Sequence, residues 1–303
     1  MNRYEFEILA YIDKEGKKEY DTRILSNELR ISASTAKVVL DKLMKMSYIN
    51  KTNGTLSVTK KGYEALEPYR VNKAIILAAG FGSRMMPATA DRPKPLVSIN
   101  GVRILDTLLD AFIKVGIKDI TIVRGYKKEC FDELLTKYPS LTLVDNDIYA
   151  RTNNISSVMK VLDKICHCYL CEADLYIMNP EIIKKYQYTS NILGAYSLET
   201  DDWSFRMDEK GCITNYQKGN THCYNYYGIS YWTQEDGEKL QVDFEQVYKE
   251  PGGEDYFWEF VPLVLRKDRY QVEIRHCEKA DIMEIDNYYE LAQLDPSYIN
   301  TER

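Results

Sequence analysis

The stretch Lys73–Pro95, KAIILAAGFGSRMMPATADRPKP, decides the reading of this chain. Ala74 to Ala78 form a short, unbroken apolar run, the pattern of a strand buried on both faces. The run opens into Gly80, Gly82 and Ser83, where glycines let backbone N–H groups come close to a polyphosphate. Arg84 and Lys94, the latter between Pro93 and Pro95, supply countercharge. A strand ending in such a turn predicts a nucleotide site at its carboxyl end.

Working outward, 303 residues with 45% hydrophobic content exceed one average domain and suffice for well-buried cores. No apolar run is long enough to cross a membrane, and the N-terminus lacks the basic start of a secretion signal. Seven scattered cysteines, an odd number, predict reduced thiols and a cytoplasmic protein. The net charge of −6 is unevenly spread: residues 1–70 carry 13 basic against 10 acidic side chains, the remainder 27 against 36. A mildly basic front on an acidic body predicts two domains, 1–70 and 71–303, with the seam at Pro68 to Asn72.

In the first domain Phe6, Ile8, Leu9 and Ile12 share one helical face. Asp21 or Thr22 can cap a second helix to Leu29, and Ser32 or Ser34 a third, in which Val38, Val39, Leu40, Leu43 and Met44 recur at helical spacing. YINKTNGTLSVT then reads as a hairpin around Asn53-Gly54. Three helices and a hairpin resemble a winged helix-turn-helix, an α+β module with Lys51 to Gly54 as its wing. The resemblance implies DNA binding through Ser34, Thr35, Lys37, Lys42 and Lys51. The competing expectation is a module for docking or homodimer formation, since the third helix carries few cations.

After the seam, strand-like and helix-like segments alternate: AIILAAG, ILDTLLDAFIKVG, DITIVRGY, KECFDELLTKY, LTLVDN. Alternation predicts an α/β, Rossmann-like domain with a mixed, mainly parallel sheet. The pattern L-A-A-G-x-G-x-R with the later P-K-P resembles the nucleotide-binding loop of the sugar-phosphate and choline-phosphate nucleotidyltransferases. That resemblance implies nucleotide contacts from Leu77, Ala78, Ala79, Gly80, Gly82 and Ser83, with Arg84 on the β- and γ-phosphates and Lys94 at the α-phosphate.

Nucleotidyl transfer also needs a divalent cation, and Mg²⁺ prefers oxygen ligands. CYLCEADLYI sets Asp174 at a strand end, and IMEIDNYYELAQL sets Glu284 and Asp286 two residues apart; both resemble the family's acidic segments and imply Asp174, Glu284 and Asp286 as Mg²⁺ ligands. Gly125-Tyr126 resembles the family's V-G-Y element near the base, with Arg124 in place of the valine, and Asn154 with Ser156 lies in a segment similar to one near the family's nucleotide. Cys166, Cys168 and Cys171 read as small hydrophobes on a core strand rather than as zinc ligands.

The aromatic-rich back half resembles bacterial CTP:phosphocholine cytidylyltransferases across residues 73–295, which implies transfer of CMP from CTP to phosphocholine. A quaternary ammonium is held by aromatic faces and a carboxylate, so Trp203, Tyr256, Trp258 and Glu259 are the expected cage. Phosphoethanolamine, 2-aminoethylphosphonate or a sugar 1-phosphate are alternative acceptors, and a CTP-sensing transcription regulator is the alternative without turnover.

Overall fold

The computed structural model describes residues 1–301 and divides into two compact units. One comprises Met1–Arg70 with Tyr186–Tyr188; the other runs over Val71–Lys185 and from Thr189 on.

The smaller unit is built in the order α1 (Arg3–Glu15), β1 (Lys18–Glu19), α2 (Thr22–Leu29), α3 (Ala33–Lys45), β2 (Ile49–Thr52), β3 (Thr55–Val58) and α4 (Lys60–Leu66). Its three strands order as β1-β3-β2, all antiparallel. Local chemistry sets each boundary. Asp21 accepts from the amides of Arg23 and Ile24, and Ser32 from that of Thr35, capping α2 and α3. Asn53 and Gly54 both adopt positive φ, as a two-residue hairpin turn requires. Ala36, Val39, Leu40 and Leu43 are the buried face of α3. Val38, 67% exposed, and Met44 depart from the expected core stripe: Val38 lies nearly opposite the buried face on the helix and Met44 at its edge. Lys42 also departs from expectation: it pairs with the buried Glu5 of α1, so much of its charge is spent holding two helices together.

The larger unit continues with β4 (Lys73–Ala78), the short pair β5 (Ser98–Ile99) and β6 (Val102–Arg103), α5 (Ile104–Lys114), β7 (Asp119–Arg124), α6 (Leu134–Lys137), β8 (Thr142–Asp145), α7 (Ile155–Met159), β9 (Cys168–Glu172), β10 (Leu175–Ile177), the long strands β11 (Asn191–Met207) and β12 (Ile213–Trp232), α8 (Gln234–Lys249), β13 (Glu273–Cys277), β14 (Ile282–Glu284) and α9 (Tyr288–Leu294). Seven strands form one sheet in the order β13-β11-β12-β9-β4-β7-β8. Pairings on both sides of β4, and that of β7 with β8, are parallel; β12 runs antiparallel to β9 and β11. The sheet is therefore mixed and mainly parallel, a Rossmann-like α/β fold.

Burial explains the continuous apolar reading of β4. Ala74 and Ile76 join a core on one face with Leu108 and Phe112 of α5, while Ile75 and Leu77 join the other with Ile155, Val158 and Trp232. Each such side chain contributes roughly 1.5–3 kcal/mol by leaving water. Cys171 and Cys168 of β9 fall on the same two faces, and all seven cysteines are free thiols. Among the described residues, no helix is long and apolar enough to cross a membrane.

Candidate active site

A cleft of about 580 Å³ opens at the carboxyl ends of β4 and β9. Leu77, Ala78, Ala79, Gly80, Gly82, Ser83, Arg84 and Lys94 all line it, so the glycine-rich loop stands where the strand pattern put it. Gly82 adopts φ +60°, and a Cβ there would come within 2.8 Å of Lys94 Cβ; only glycine lets the loop fold onto the lysine.

The acidic residues converge from distant parts of the chain. Asp174 directly precedes β10, and β10 pairs antiparallel with β14, placing Leu175 opposite Glu284. One carboxylate oxygen each from Asp174, Glu284 and Asp286 lies within 4.8 Å of the others. The chain's own cations reach into this group. Lys94 Nζ donates to Asp174 Oδ2 at 2.8 Å and lies 3.5 Å from Asp286, while Arg84 donates to Asp286 at 3.0 Å. Burial opposes the Lys94 charge, but Asp174 and then Asp286 outweigh it and hold the ammonium above the ordinary lysine range. For Glu284, burial and then the Asp174 and Asp286 charges push its acid up to about 8. These residues fit a divalent cation: the donors are hard carboxylate oxygens, and Asp174 Oδ1 is buried with no hydrogen-bond partner.

The other end of the cleft is lined by Glu172, Asp202, Trp203, Lys218, Tyr226, Phe257 and Glu259. Glu259 is 3% exposed. Tyr216 donates to its Oε1 at 3.0 Å, whereas Oε2 is buried and unpartnered. Burial pushes Glu259 up to about 7, against the hydrogen bond from Tyr216. Burial, then the charge of Glu259, also raises Glu172 well above the carboxylate range. No ion pair neutralises either acid among the described residues. Leaving one buried acceptor unfilled costs about 1–3 kcal/mol, and Lys218, though it lines this end, makes no bond to Glu259 Oε2, which is left open to a donor from a ligand.

Several expected contacts fall elsewhere. Trp258 is fully buried in the core, its ring 6.3 Å from Trp232, and Tyr256 packs on the same core; neither lines the cleft. The DYFWE segment holds no strand or α-helix; Phe257 and Glu259 line the cleft while Trp258 is buried in the core. Trp203 does line the cleft, stacked on Tyr216 at 4.8 Å. Asn154 lines it too, its Oδ1 accepting from the Trp258 amide at 2.8 Å. Ser156 does not: it is buried, bonded to Asn146, Thr152 and the Asn153 carbonyl, and Ser157 lines the cleft instead. Tyr126 is held beside the loop, its amide on the Ala79 carbonyl and its ring against Phe81, outside the cleft lining. Glu172, Asp202, Lys218 and Phe257 were not singled out from sequence; Glu172 alone carried a signal, as the partner acid in Glu-Ala-Asp.

Known proteins resemble this chain in the same region. The nucleotidyl transferase family model matches residues 73–192. A 2-aminoethylphosphonate cytidylyltransferase of Lancefieldella rimae is 37% identical over 229 residues, which is 75% of this chain and 93% of the relative. A choline-phosphate cytidylyltransferase of Streptococcus pneumoniae is 29% identical over 224 residues, 74% of this chain and 96% of the relative. The solved structure of the CTP:phosphocholine cytidylyltransferase from Streptococcus pneumoniae superposes with a TM-score of 0.70 at 29% identity, covering 75% of this chain and 99% of that one. With a Rossmann-like sheet, a glycine-rich loop at the end of the interior strand β4 and relatives of this kind, the chain belongs to the nucleotidyltransferase family, among its cytidylyltransferases.

Proposed function

We propose that this enzyme transfers CMP from CTP to a small phosphonate or phosphate bearing a primary ammonium, with 2-aminoethylphosphonate as the acceptor. The observation that carries the choice is Glu259, a buried acid with one oxygen unpartnered and no cation paired to it. A primary ammonium brings three N–H donors to such a site, whereas a trimethylammonium brings none. The Lancefieldella rimae relative adds weight to this acceptor. Phosphocholine is the second reading, favoured by the Trp203 ring in the cleft; two of the four expected cage members, Tyr256 and Trp258, do not support it.

In the proposed reaction an ionised phosphonate oxygen attacks the CTP α-phosphorus in line, a new P–O bond forms, and the bond to pyrophosphate breaks. The Gly80–Ser83 backbone cradles the departing phosphates, and Arg84 binds their outer charge. Lys94, oriented by Asp174, stabilises charge shifting onto the α-phosphoryl oxygens. Asp174, Glu284 and Asp286 would hold Mg²⁺, which supplies Lewis-acid neutralisation of the phosphates when bound. The acceptor's ammonium sits at Glu259, fixing its other end for attack. Pyrophosphate release that requires CTP, Mg²⁺ and 2-aminoethylphosphonate together is the expected result; none with any aminoalkyl phosphonate or phosphate contradicts it.

The order of elements in the smaller unit supports reading it as a winged helix, and DNA is the partner proposed for it. Ser34, Lys37 and Lys51 are exposed there, on α3 and the hairpin. Thr35 is half-buried and shares a hydrogen bond with the capping Ser32.

A further inference from the structure

The cleft lining holds a further acid, Glu172, to which the reaction proposed above gives no role. We infer that Glu172 is a specificity-determining residue that, with Glu259, forms a two-carboxylate clamp selecting a primary ammonium over N-methylated acceptors. The inference rests on the reading above that the acceptor carries an ammonium group.

Three observations converge on it. First, Glu172 closes β9 two residues before Asp174, so both acids line one cleft with Ala173 buried between them. Second, the fold makes room for this carboxylate. An ideal Cβ on Gly228 of the neighbouring β12 would meet Glu172 Oε2 at 2.5 Å and its carboxyl carbon at 2.7 Å. Gly228 has no positive φ, so the backbone does not ask for glycine there; the space does. Third, the two acids are tied to each other through phenols. Tyr226 reaches Glu172 Oε1 at 3.5 Å, Tyr216 donates to Glu259 Oε1 at 3.0 Å, and the two rings touch edge to face at 5.5 Å. The phenols thus fix one oxygen of each acid and supply no positive charge. An ammonium with three N–H donors can bridge both acids, and each methyl added to nitrogen removes a donor that the clamp needs.

The test is steady-state kinetics of the full-length enzyme with CTP and Mg²⁺, comparing 2-aminoethylphosphonate with its N,N,N-trimethyl analogue. In the wild type, kcat/KM is expected to favour the primary amine by at least about tenfold, since the trimethyl analogue loses all three donors and one charge-assisted hydrogen bond alone is worth about that much. Glu172→Gln should raise KM for the primary amine by about tenfold, leave KM for CTP unchanged and narrow the preference between the two acceptors. Gly228→Ala keeps the acid but displaces it, and should give the same split more weakly, so the result does not hang on one variant folding. A wild type inactive on both amines overturns the acceptor reading and the clamp together. A wild type active on the primary amine, with KM for that amine unchanged in both variants or KM for CTP raised equally, overturns the role of Glu172 alone.

Discussion

The two ends of the cleft handle negative charge in opposite ways. At the phosphate end, Lys94 and Arg84 lie on Asp174 and Asp286 at 2.8 and 3.0 Å, so two of the three acids there are paired with cations before any ligand arrives. At the amine end, Glu172 and Glu259 each meet a phenol and neither stands in an ion pair among the described residues, while Glu259 Oε2 has no hydrogen-bond partner. The contrast is physical. Phosphates and a divalent ion arrive as partly compensating charges, so mixed side-chain charge can exchange partners with them. A lone cation needs acids that have no cation of their own, and the protein carries the cost of keeping them buried. One end is therefore expected to govern kcat and the other KM for the acceptor.

Breaking the phosphate end has the largest predicted effect. Asp174→Asn should lower kcat by about a thousandfold or more, with unchanged circular dichroism, because the metal's several kcal/mol of charge stabilisation is lost. Lys94→Ala should lower kcat by roughly 100- to 1000-fold, as removal of a preorganised donor does. Stopped-assay turnover at saturating substrates checks both.

At the amine end, Glu259→Gln should raise KM for the acceptor by about 10- to 100-fold with little change for CTP, since one charge-assisted contact is worth about 1.5–3 kcal/mol. Its acid in the folded protein, about 7, lies above the ordinary 4.5. The folded state therefore holds this proton more tightly than the unfolded chain. Stability from this group is complete below about pH 4.5 and is lost as pH rises through about 7. Melting curves of the ligand-free enzyme from pH 5 to 8 should fall more steeply for wild type than for Glu259→Gln. Acceptor affinity should move the other way, rising over the same window as Glu259 ionises.

The smallest predicted effect concerns the other unit. Lys37→Ala and Lys51→Ala should each weaken DNA binding modestly and lower its salt slope by about 1, while turnover stays unchanged. Titration of fluorescent duplexes against salt measures this; binding to no duplex at any salt would leave the unit without a DNA role.

What was legible in sequence follows the same division. The phosphate end is written locally: a strand, two glycines and two cations lie within Lys73–Pro95, and their chemistry is readable without a fold. Asp174 and Asp286 stood out as strand-end acids, although only the β10–β14 pairing shows why they meet. The amine end depends on one-residue phases in irregular segments. Phe257 and Trp258 differ in direction rather than type, and no periodicity marks a turn. Glu172 needed the neighbouring Gly228 to show that space had been kept for it. Lys42 looked like a surface cation until Glu5 appeared beneath it.

The most direct measurement compares pyrophosphate release with CTP and Mg²⁺ on 2-aminoethylphosphonate and on phosphocholine. An uncompensated pair of acids predicts kcat/KM at least about tenfold higher for the primary amine. Equal turnover, or a preference for phosphocholine, would contradict the account.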